Sequence, residues 1–100
     1  MTTAAATYAL PYEHVAASQT AQVLGTTGAV GDYLHRLVIT VSTSLTGTVA
    51  LLDNTTSHTL VAANSAIGVY SIEINTFSKN GAWKVTTGAG AEVIAMGNFT

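Results

Sequence analysis

Residues 32–43, DYLHRLVITVST, decide the fold class. In an extended chain successive side chains point to opposite faces, so Tyr33, His35, Leu37, Ile39 and Val41 share one face and Leu34, Arg36, Val38, Thr40 and Ser42 the other. Ile39 and Val41 mark the first face as the core side. The same period of two returns from residue 67 onward: Tyr70, Ile72 and Ile74 alternate with Val69, Ser71, Glu73 and Asn75, and the first set is expected to face inward. Between these runs, 46–52 is a further β-branched segment, DNTTS at 53–57 reads as a turn, and 58–62 reads as another strand.

Beyond the second run, SKNG at 78–81 turns the chain. Asn-Gly is a strong hairpin signal because both residues accept positive φ, so Trp83, Val85 and Thr87 are expected to run back along the preceding strand. GAG at 88–90 turns it again into EVIAMGNF at 92–99. On the other side of the deciding stretch, GTTGAVGD at 25–32 is a glycine-rich loop and 19–24 a short strand candidate. Residues 1–18 are rich in Ala and Thr, with Pro11 between Tyr8 and Tyr12. Proline disfavours helix at Leu10, so the segment reads as an extended arm. The Ala-rich pieces at 4–6, 16–17 and 62–66 are the only helix-prone ones, and no internal repeat is visible. Seven or eight short strands with turn signals about every 8–12 residues predict an all-β, antiparallel β-sandwich, jelly-roll-like, at 19–100, preceded by an N-terminal arm at 1–18. Its expected core is Leu37, Ile39, Val41, Val49, Leu51, Ile72, Ile74, Trp83, Val85 and Ile94.

At 100 residues there is room for one domain. Apolar residues make up 48% of the chain, but Asp, Glu, Lys and Arg only 8%, against about 25% in an ordinary soluble domain. With 17 Thr and 16 Ala and a net charge of −2, the exterior must be largely uncharged, and little self-repulsion keeps copies apart. Such a surface is suited to being covered. Cysteine is absent, which excludes disulfides, a thiolate nucleophile and zinc ribbons. Three basic residues, Arg36, Lys79 and Lys84, are too few to neutralise a phosphate backbone, so no nucleic-acid partner is expected. No secretion signal and no membrane span is visible, and the abundance of aliphatic residues argues against disorder.

Candidate chemistry is sparse: Glu13, Asp32, Asp53, Glu73, Glu92 and three histidines are the whole acid–base inventory. Glu13 and His14 are adjacent, so a strand sends them to opposite faces; they read as polar groups of the arm or of an interface, not as a metal pair. His35 reads as a packed or backbone-bonded histidine. Asp53, Ser57 and His58 superficially resemble a hydrolase set, but they lie in one polar turn with no separate acid or oxyanion hole. The glycine-rich pieces lack the Lys-Ser/Thr of a phosphate loop. Trp83, Tyr70 and Tyr33 form a possible sugar-stacking set, with core and interface packing the plainer reading. No catalytic residue, cofactor or metal is therefore expected, and the protein is read as not an enzyme.

Over residues 31–99 the chain resembles small virion proteins of tailed bacteriophages, of the head-decoration or cement kind. The pieces that carry the likeness are GDYLHRL, the central aliphatic strand with its Asp-containing turn, IGVYSIEI, and SKNGAWKVTTGAGAEVIAMG. None is a catalytic signature. The resemblance implies a β-sandwich that binds the outer surface of an assembled capsid, through the major capsid protein, as a homodimer or homotrimer. It places the protein on the virion, and in the host cytoplasm during assembly. The arm lies outside the matched stretch; Tyr8, Pro11, Tyr12, Glu13 and His14 are its expected interface residues. The alternative is a carbohydrate- or receptor-binding head fibre or spike module.

Overall fold

The computed structural model describes residues 11–44 and 47–100, and all regular structure among them is β. The strands are β1 (Tyr12–Val15), β2 (Gln22–Val23), β3 (Tyr33–Val41), β4 (Val49–Asp53), β5 (Thr56–Val61), β6 (Gly68–Phe77), β7 (Trp83–Thr86) and β8 (Ala91–Asn98). They form two four-stranded sheets, β1-β8-β3-β6 (sheet A) and β2-β7-β4-β5 (sheet B). All neighbours are antiparallel. Every connection except β4–β5 passes from one sheet to the other, which is the strand order of an eight-stranded jelly roll. The expected all-β antiparallel sandwich is the fold observed. The Ala-rich pieces at 16–17 and 62–66 are not helical; that at 4–6 lies outside the described residues.

The two inner faces meet in one apolar core of Val15, Leu24, Leu34, Leu37, Ile39, Val41, Val49, Leu51, Val61, Trp83, Val85, Ala91, Val93 and Ala95, with Leu60, Tyr70, Ile72, Ile74 and Phe99 packed at its margin. A fully buried Leu, Ile or Val contributes about 1.5–3 kcal/mol over leaving it exposed. Trp83 is sealed inside, and its indole N–H donates to the Asp32 carbonyl at 2.9 Å. The polar exceptions in the interior are loop fasteners. Asp32 accepts from the Ala29 and Thr100 amides and the Thr100 hydroxyl, and Asp53 accepts from the Lys79 and Asn80 amides at 3.0 and 3.1 Å.

Three local expectations are corrected. On β3 the alternation breaks at a bulge between Leu34 and Arg36: against β8 the extra residue is His35, and against β6 it is matched by Ile74 and Asn75. One inserted residue reverses the facing of everything before it. Leu34 therefore joins Leu37, Ile39 and Val41 in the core, while Tyr33 and His35 are only half-buried.

The second correction concerns 78–81. Trp83–Thr86 does not fold back on β6; it crosses to sheet B and pairs with β2 and β4. Neither Asn80 nor Gly81 adopts positive φ, so the turn that would make a tight hairpin is not used. The Asp53 carboxylate draws the Lys79 and Asn80 amides to the end of β4 instead, and Ser78 N–H is bound by the Asp32 carbonyl at 3.0 Å.

The third is Ile94, which is 37% exposed and points outward. On β8 the inward positions are Ala91, Val93, Ala95 and Gly97, and the outward ones Glu92, Ile94, Met96 and Asn98. At Gly97 the inward side is closed to any side chain. A Cβ on Gly97 would collide with the Tyr33 carbonyl and stand 2.7 Å from the Phe99 ring.

The turn read at 53–57 narrows to Asn54-Thr55, with Asn54 at φ 59°, and among the described strands it is the only connection made within one sheet. The loop at 25–32 has its three glycines in the left-handed region. Within the segment read as an arm, Tyr12–Val15 pairs with β8 and is the edge strand of sheet A, so the sheet begins ahead of residue 19. Residues 1–10, Tyr8 among them, lie outside the described ones.

Candidate interaction surface

Strand register lines up three rows on the outer face of sheet A. Tyr12, Met96, Arg36 and Glu73 form the first and His14, Ile94, Val38 and Ser71 the second; Glu92, Thr40 and Val69 form the third. Large apolar side chains thus stand beside single charges. Tyr12 is 69% and Val69 67% exposed, and Phe77, at the bulged end of the same sheet, 62%.

The charges on this face are sparsely paired. His14 Nε2 lies 3.4 Å from Glu92 Oε1, both side chains about half exposed. Arg36 stands opposite Glu73 in the strand register, yet its Nη1 donates to the Ser71 hydroxyl at 2.6 Å. At the bulge the Tyr33 hydroxyl donates to Asn75 Oδ1 and lies 3.2 Å from His35 Nδ1, while its ring packs on Phe77 with centroids 5.3 Å apart, tilted by 52°. Asn75 holds positive φ at this point, a conformation that Asn tolerates better than β-branched residues.

The residues expected at an interface divide. Pro11, Tyr12 and His14 are exposed, the last two on the outer face of sheet A. Glu13 turns the other way, and its Oε1 accepts from the Gly25 amide at 2.7 Å, tying β1 to the loop after β2. Tyr8 lies outside the described residues.

Other chemical candidates are not brought together. Asp53 spends its carboxylate on the 79–80 amides, whereas Ser57 and His58 sit exposed on β5 opposite Leu52 and Leu51. Of the proposed stacking set, Trp83 is in the core and the Tyr70 hydroxyl donates to the Ala66 carbonyl at 2.6 Å, which leaves Tyr33 with Phe77. Among the described residues no three His, Asp or Glu side chains are placed to share a metal ion.

Sequence reasoning placed Val38 and Val69 on faces turned away from the core but missed Ile94, Met96 and Phe77 as surface residues of the same sheet. A signal for Ile94 was available: Glu92 has the same parity on the strand, and a charged residue belongs outside. No protein-family model matches the chain, and no curated protein matches it either.

Proposed function

We propose that the protein is a non-enzymatic structural component of a tailed-phage virion, a decoration protein that seats on the outer surface of the head and reinforces it. The observation that carries this reading is the outer face of sheet A, where Tyr12, Ile94, Met96, Val38 and Val69 stand among a few charges. Large apolar groups with sparse, specifically placed polar ones are the make-up of an association surface. The chain is poor in charge overall, but Arg36, Glu73 and Glu92 stand on this face, so a partner covering it must supply polar groups to meet them. The jelly-roll topology agrees with the reading but does not by itself select it, since capsid, lectin and enzyme domains share it. The partner, the major capsid protein, comes from the resemblance over residues 31–99.

Bridging many capsid subunits would stabilise the shell by mass action, each contact needing about 800 Å² per partner to be specific. The test mixes the purified protein with heads assembled without it. Saturable binding and a shell that ruptures at higher temperature are expected; no binding and unchanged rupture would end this reading.

One observation favours the second reading, a glycan- or receptor-binding fibre or spike module: the exposed Phe77 packed on the half-buried Tyr33, with Asn75 and His35 beside them. An aromatic ring with adjacent amide and imidazole groups can stack on and hydrogen-bond a sugar. Glycan-array binding that is lost in Phe77→Ala, without head binding, would decide for it.

A further inference from the structure

Strand β6 is the edge of sheet A farthest from β1, and no other described strand pairs with its outer side. It is ten residues long, GVYSIEINTF, and carries a single charge, Glu73. Edge strands of soluble monomers are normally short, charged, proline-bearing or covered, because a long apolar edge is a template for pairing with another chain. The inward side chains of β6 are also unfinished. Tyr70, Ile72 and Ile74 are only half-buried at the margin of the core. Ile67 and Val69 at one end of the strand and Phe77 at the other are each more than 60% exposed.

We infer that β6 pairs with β6 of a second copy of this chain, antiparallel about a twofold axis at Ile72, continuing sheet A into an eight-stranded sheet. This rests on the reading of the protein as an associating subunit and names the seam. Three observations select the second copy and the register. Cross-strand partners must lie on the same face, so the axis falls on a residue, and the two residues nearest the middle of the strand are Ile72 and Glu73. An axis at Glu73 would set that carboxylate against its own copy, which is destabilising. An axis at Ile72 sets Ile72 against Ile72, Tyr70 against Ile74, and Ser71 against Glu73 of the second copy. Because Arg36 already reaches the Ser71 hydroxyl, its guanidinium then ends beside the partner's carboxylate, twice by symmetry. The same pairing brings the exposed Ile67 and Val69 of each copy towards the exposed Phe77 of the other.

The chain has no cysteine, so a single introduced cysteine can bridge only between copies. Ile72→Cys lies on the axis and is expected to give a disulfide-linked dimer under mild oxidation. Tyr70→Cys should not, because its own copy stands four residues along, about 13 Å away, beyond the roughly 7 Å a disulfide spans. Sedimentation of the full chain at micromolar concentration should report twice the mass of 10.2 kDa. Glu73→Arg, an exposed substitution, should weaken self-association by about tenfold or more, most strongly at low salt. A monomer at all concentrations overturns the inference. So does a dimer that fails to cross-link at residue 72, or one indifferent to Glu73→Arg. These measurements need no heads. A monomer that still binds heads would sink the seam and leave the virion assignment standing, while a cross-linked dimer that ignores heads would do the reverse.

Discussion

Three of the four strands of sheet A are long, with nine residues in β3, ten in β6 and eight in β8 beside four in β1, whereas the longest strand of sheet B, β5, has six. Their exteriors differ in kind as well. The rows of sheet A carry Tyr12, Met96, Ile94, Val38 and Val69 beside Arg36, Glu73, His14 and Glu92; those of sheet B carry Val23, Lys84, Leu52 and Ser57, then Thr86 and Thr59 on either side of a buried Ala50. The edges follow suit. Strand β5, TSHTLV, is polar and short, and β6 on the matching side of the other sheet is apolar and long. The two sheets share one core, so stability does not require this asymmetry. The proposed contacts through the exterior of sheet A and its β6 edge draw on this asymmetry, and sheet B supplies the other wall of the sandwich.

The largest effect should come from the shared core. Leu37→Ala removes a fully buried side chain of β3 and is expected to lower unfolding free energy by about 2–5 kcal/mol, read from denaturant midpoints. Asp53→Ala comes next, since it leaves the Lys79 and Asn80 amides without their acceptor at the point where the chain crosses from sheet A to sheet B. A loss of about 1–3 kcal/mol is expected, with faster hydrogen exchange confined to 78–82 at its onset. Both test the common interior, and neither should distinguish the exteriors.

The exteriors are separated by a pair of charge insertions. Ile94→Glu on sheet A should cost about 1 kcal/mol of stability or less and abolish binding to heads, while Leu52→Glu on sheet B, beside Lys84 in the register, should leave binding as it was. Equal effects would erase the proposed difference between the sheets. The smallest change concerns the half-exposed His14–Glu92 pair. His14→Ala should move stability by less than about 0.5 kcal/mol, and a larger loss would show that β1 is held by more than its ladder to β8.

Much of the fold was legible. The apolar alternation at 37–41 and 70–74 placed the central and edge strands of sheet A on the correct faces, and the glycines at 25, 28 and 31 marked a loop that needs positive φ. The candidate surface was legible only in part. Tyr12 and His14 were named from an Ala- and Thr-rich, proline-bearing segment, yet their place in an edge strand depends on partners on β8, about eighty residues away along the chain.

What the residues alone determined is the local state of the chain: β-branched runs with a period of two, breakers between them, and an exterior poor in charge. Only the tertiary structure decided which strands are neighbours. His35 is an extra residue because β8 leaves it unmatched, the chain at Lys79-Asn80 crosses between sheets because the distant Asp53 carboxylate holds those two amides, and Ile94 faces out with Glu92 because Ala91, Val93, Ala95 and Gly97 take the inner side of β8. Periodicity reports how a segment alternates, but which side is inside is settled by what packs against it.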